Sequence, residues 1–175
     1  MTWGWFFVLL VTYPWLLLAD MLSDSLTTWG VVVFISGAVL VVPCRRLKLW
    51  QSVLFAACLG FMFEARRPVP DGFFAFWMMA AAIFLTTRRD WLRNLSLLFR
   101  AAVLCNLLGC VVWYFASAWS LPRRSVGLVW GDVLSEFVLQ LGVALLASLI
   151  FLLPVTWVQE AMLDRVGFPP AKEIV

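Results

Sequence analysis

Chemistry in this chain is confined to a few polar side chains, and histidine is not among them. That absence removes the commonest acid/base catalyst, the commonest metal ligand and any histidine-based triad. Glu64 stands two residues before Arg66 and Arg67, and the stretch continues through Pro68, Pro70, Asp71 and Gly72. Two prolines and a glycine in so short a link imply a shaped connection, which makes it a candidate functional loop or partner contact. Together with Arg123, Arg124, Asp132 and Glu136 it offers a charged cluster in which Glu64 or Glu136 pairs with an arginine. The plainer reading is solvated charge at helix ends, where exposed pairs contribute little. Asn106 and Gln140 fall inside apolar stretches. An amide there bonds across helices or, in the sharper alternative, contacts a substrate. There is no Gly-x-Ser-x-Gly elbow, no His-Glu-x-x-His pair and no glycine-rich phosphate loop. No two acidic residues share one mid-membrane depth, as a proton relay requires. The residue chemistry points to a non-catalytic protein with no metal set and no cofactor.

The elements that must position these residues are six apolar stretches, at about 3–19, 28–43, 49–63, 73–87, 97–119 and 133–157. The chain is 64% hydrophobic and 13% charged, against a soluble norm of about 45–50% apolar and about 25% charged. Crossing a bilayer core takes roughly 20 residues. The second, third and fourth stretches are short of that and require tilt or local thinning. The expected fold class is all-α, a polytopic membrane protein of about six transmembrane helices. It forms one domain over residues 1–165 with a short tail at 166–175. No positive residue precedes the first stretch and no small-x-small site follows it, so that span is expected to be kept.

Lys and Arg sort unequally between the gaps. One side holds Arg45, Arg46, Lys48, Arg88, Arg89, Arg93, Arg100, Arg165 and Lys172, nine in all; the other holds Arg66, Arg67, Arg123 and Arg124. Orientation follows these cations, so the nine and both termini are expected inside, with 64–72 and 123–136 outside. No dense Lys/Arg cluster is present, which argues for the lipid bilayer and against nucleic acid as a partner. Of eleven tryptophans, Trp29, Trp50, Trp91, Trp119, Trp130 and Trp157 lie near stretch ends, as an interfacial belt would. Cys44, Cys58, Cys105 and Cys110 read as small packing residues. Pro14 and Pro154 are candidate kinks in the first and last helices. Residues 88–95 have the pattern of a short amphipathic helix on the inner face. In the fifth stretch Ala101, Cys105 and Gly109 recur every four residues, as do Ala56 and Gly60 in the third. Small residues so spaced let backbones approach closely, so the third stretch is expected to pack on the fifth, beside Asn106.

From the third stretch to the fifth, the order of features resembles the MreD family of rod shape-determining proteins. Ser52-Val-Leu-Phe-Ala-Ala-Cys-Leu-Gly60-Phe-Met-Phe-Glu64 is followed by a proline-containing link ending in Gly72, an apolar helix, and Arg89-Asp-Trp-Leu-Arg93. In that family a glycine-rich helix ends in an acidic residue, a small-residue loop follows, and a basic segment precedes the next span. The family usually has Asp where Glu64 stands, and a Ser/Gly-rich turn where this chain has residues 66–71. Length and topology agree in outline, while the motif-bearing part covers about residues 52–95. The resemblance implies a fold similar to the substrate-binding subunits of ECF transporters. It also implies a non-enzymatic scaffold of the bacterial cell-wall elongation machinery, set in the cytoplasmic membrane and involved in cell shape. The implied partners are the membrane-anchored protein MreC and, through it, MreB and the peptidoglycan synthases. The alternative is a small-molecule binding subunit of a transporter, with an outward polar pocket lined by the 64–72 loop, Glu136 and Gln140. A sealed bundle with an exposed apolar groove favours the scaffold; an enclosed cavity of several hundred Å³ favours the transporter subunit.

Overall fold

The computed structural model describes residues 4–65, 70–120 and 130–168. The described residues form helices and no strands: α1 Gly4–Ser25, α2 Ser36–Arg46, α3 Leu49–Glu64, α4 Phe73–Thr87, a short α5 Arg89–Arg93, α6 Leu95–Ser120 and α7 Trp130–Arg165. A 3₁₀ turn, Thr27–Trp29, follows α1. Among the described residues α1, α6 and α7 are long and apolar enough to cross a membrane. The apolar helices α3 and α4 have 16 and 15 residues. At ~1.5 Å per residue they reach only about 24 and 22 Å, short of a hydrocarbon core about 30 Å thick. The chain is thus an all-α membrane protein.

The second apolar stretch departs most from expectation. A helix over 28–43 does not form; residues 31–35 are non-helical and α2 begins only at Ser36. Gly30 sits at φ +66°, in the left-handed region where a side chain would be strained. Val31, Val32, Val33 and Ile35 are β-branched, stiff at χ1, and suit extended backbone better than helix. Val31, Val33, Phe34 and Ile35 are all buried. Non-helical backbone at membrane depth is tolerated only when enclosed by protein, and this strip is enclosed.

Helix α2 forms the centre of the bundle. Every residue from Ser36 to Arg46 except Arg45 is buried, and α2 packs against α1, α3, α4, α6 and α7. Its N-terminal residues are small for a reason. A methyl group on Gly37 would overlap the backbone carbonyl of Ala102 on α6, and one on Gly109 would come within 2.8 Å of Ser36 Oγ. The other seam behaves alike, since a methyl on Gly60 of α3 would overlap the backbone of Ala75 on α4. The expected packing of the third stretch on the fifth is therefore incorrect. Helices α3 and α6 make no backbone-level contact among the described residues. Each small-residue face has a different partner, because α2 lies along α6 while α4 folds back on α3.

Between these seams Phe34, Phe63, Phe74 and Trp113 form an aromatic cluster. Phe63 stacks on Phe74 with centroids 4.5 Å apart, and Phe34 lies 5.3 Å from Phe63 and 5.5 Å from Trp113. Trp29, Trp50 and Trp157 are exposed, as belt residues should be. Residues 88–95 do contain a short helix, α5, which buries Leu92.

Candidate functional site

The buried polar side chains converge on backbone that helical hydrogen bonding has left unpaired. At Val32 the N–H donates to Gln140 Oε1 at 2.9 Å, and Gln140 Nε2 donates to the Val32 carbonyl at 2.5 Å. The amide of α7 thus pairs with the extended strip as a neighbouring strand would. One residue on, the Val33 N–H donates to Ser23 Oγ of α1 at 2.9 Å. Asn106 Nδ2 of α6 reaches the Phe34 carbonyl at 2.7 Å, and also the Ala144 carbonyl and Ser148 Oγ of α7, each at 2.8 Å. Its Oδ1 accepts from Ser36 Oγ at 3.2 Å. Asn106 is fully buried. The expected amide bonds across helices are present, but their chief acceptors and donors are the main chain of residues 32–34.

A third amide, absent from the sequence expectations, follows the same logic. Pro43 lies inside α2 and has no N–H, so the carbonyl four residues earlier, that of Val39, loses its helical donor. Gln159 Nε2 of α7 donates to that carbonyl at 3.1 Å and to Thr12 Oγ1 of α1 at 2.9 Å. The proline is the signal that could have revealed the need for a donor. Sequence spacing could not say which of the remote amides supplies it.

Glu64 has a comparable task at the other helix pair. Its Oε2 accepts from the Gly72 N–H at 2.8 Å, and its Oε1 accepts from the N–H groups of Phe74 and, at 2.8 Å, Ala75. The last residue of α3 thereby caps the first turn of α4, where a carboxylate meets unpaired donors and the positive end of the helix dipole. Gly72 makes the return possible at φ +82°. Asp71 is exposed beside it. Arg66 and Arg67 lie outside the described residues, as do Arg123 and Arg124, so the proposed pairing of Glu64 with an arginine falls there too. Glu136 is exposed on α7, one turn before Gln140. Of the packing residues, Ala56, Gly60, Cys105 and Gly109 are buried, whereas Ala101 is only half-buried. Ala102, not Ala101, meets Gly37.

Cations gather where α2, α4 and α7 end. Arg89 Nε donates to the Cys44 carbonyl at 3.1 Å and its Nη2 to the Leu47 carbonyl, so α5 caps the C-terminal end of α2. Partial burial lowers the Arg89 pKa from the ordinary arginine value. Arg45 pairs with Glu160 at 3.2 Å and Arg46 with Asp164 at 2.6 Å. Arg46 Nη2 also donates to the Phe168 carbonyl at 2.8 Å, tying α2 to the end of α7.

Beside this basic end an apolar groove of about 570 Å³ runs between α4, α5 and α6. Among the described residues no group of three or more Cys, Asp or Glu is placed to hold a metal. Compared with protein-family models, with curated proteins and with solved structures, the chain shows no match in any of the three.

Proposed function

We propose that this chain is a non-enzymatic scaffold of the bacterial cell-wall elongation machinery, similar to the MreD family. In this reading it sits in the cytoplasmic membrane with six passes and both termini inside. It binds a membrane-anchored MreC-like protein and, through it, acts with MreB and the peptidoglycan synthases. The observation that carries the reading is how the interior polar groups are used. Both oxygens of Glu64 and both ends of the Asn106 and Gln140 amides are engaged within the chain. A transporter-type binding subunit requires such groups to converge on an outward cavity. Here both ends of the Gln140 amide are held by Val32, and Glu136 is exposed. An apolar groove of about 570 Å³ lies instead at the basic end. The motif from Ser52 to Arg93 supplies the family, and the nine-to-four split of cations supplies the orientation.

The test is twofold. Co-expression with the MreC-like product of a neighbouring gene should give a complex that survives detergent purification. In cell-shape complementation, Glu64→Ala or a shortened 64–72 loop should impair rod shape more than Trp157→Ala, since Trp157 is 74% exposed. No complex, together with wild-type shape for both loop variants, would refute the proposal.

A further inference from the structure

The groove between α4 and α6 is lined by apolar side chains along most of its length and by Arg88 and Arg100 at one end. Along α4 and its capping residue the lining runs from Trp77 to Arg88, and on α6 from Leu97 to Leu108. Eleven residue steps on either helix cover about 16 Å at ~1.5 Å per residue. One leaflet of a hydrocarbon core about 30 Å thick is about 15 Å deep. The groove is therefore about one leaflet long, with its two guanidiniums at one end and an apolar wall along the rest. A partner's transmembrane helix needs a seam along the whole core, about twice this length. The volume, about 570 Å³, falls in the range of small-ligand sites.

We propose that this groove holds an acyl chain of an anionic phospholipid, with the lipid phosphate between Arg88 and Arg100. Phe84, Leu104 and Leu108 contact the chain along the groove, and the arginines select the headgroup charge. Leu104, Leu108 and Phe84 are all exposed in the isolated chain, so an acyl chain seated there covers apolar surface that no other described element covers. The inference is independent of the scaffold reading, because it needs only a basic end at headgroup level.

The experiment uses the full chain, reconstituted in vesicles of phosphatidylglycerol and phosphatidylcholine with matched acyl chains. Lipid retained after detergent extraction is identified by native mass spectrometry. The wild type should retain phosphatidylglycerol in preference to phosphatidylcholine. Arg100→Gln should lower that preference about five-fold, and Arg88→Gln with Arg100→Gln about 25-fold, from the usual attraction of a surface cation to anionic lipid. Leu104→Trp should fill the groove and abolish retention of both lipids. Arg100 and Leu104 are exposed, so these two single variants keep the test open should the double variant fail to fold. Millimolar inorganic phosphate should not displace the lipid, since it lacks the chain. Equal retention of both lipids, indifference to the arginine changes, or retention undiminished by Leu104→Trp would each overturn the proposal. So would a site-specific cross-link from Leu104 to a protein helix rather than to lipid.

Discussion

Replacing Asn106 with leucine separates two accounts of the buried amides. If Asn106 only links α6 to α7, its loss costs what an interhelical side-chain bond in a membrane usually contributes, about 0.6 kcal/mol. The structure assigns it more. Asn106 Nδ2 is 2.7 Å from the carbonyl of Phe34, which precedes the first turn of α2 and lies inside the protein. Leucine is similar in size, so the cavity contribution is small. The buried Phe34 carbonyl would then lose the Asn106 donor, and loss of such a bond at a buried group costs about 1–3 kcal/mol. The Ser36 hydroxyl would lose its acceptor as well. The sum expected is about 2–3 kcal/mol, several times the average interhelical bond. Ser148→Ala is the internal comparison. Its hydroxyl donates to the Ala144 carbonyl on its own helix and accepts from Asn106 Nδ2, so its removal breaks one interhelical bond and should cost about 0.6 kcal/mol. The assay is reversible unfolding in bicelles, for instance by steric trapping, which reads the free energy without removing the bilayer. Equal and small losses for Asn106→Leu and Ser148→Ala would refute the claim that the amide serves the unwound backbone.

Two further outcomes follow from the same geometry. Gln159→Leu should destabilise by about 1–3 kcal/mol in the natural chain and by clearly less in a Pro43→Ala background, where a helical N–H returns to the Val39 carbonyl. A double-mutant cycle with no coupling between these positions would show that Gln159 does not compensate for the proline. Gly37→Ala should cost about 1–3 kcal/mol by forcing α2 away from the Ala102 backbone, whereas Gly142→Ala, with open space around it, should be neutral or mildly stabilising in the same unfolding measurement.

Hydropathy and residue type announced the membrane, the helices and the polar residues worth watching. Glu64, Gly72, Asn106 and Gln140 all prove to hold structural positions in the bundle. What those residues touch was not legible. Asn106 and Gln140 are 72 and 108 residues from the backbone they serve. Gln159 lies beyond the last apolar stretch, where nothing in the sequence marks it as interior, although it is fully buried. The second stretch misled because apolar runs announce burial and not conformation. Its Val and Ile residues suit either a membrane helix or an enclosed extended strip, and only the availability of remote donors decides between them.

By itself the sequence determined that the chain lives in a membrane, because its apolar stretches leave no other way to satisfy so much hydrocarbon surface. It also determined the sorting of its cations, which is a property of order along the chain. Tertiary structure alone decided that α2 starts at Ser36, that α6 packs on α2 rather than α3, and that Glu64 spends its charge on the first turn of α4. Each of those outcomes depends on which unpaired backbone group meets which side chain in space. In a bilayer every such group must find a partner within the protein, and chain order does not say where that partner will be.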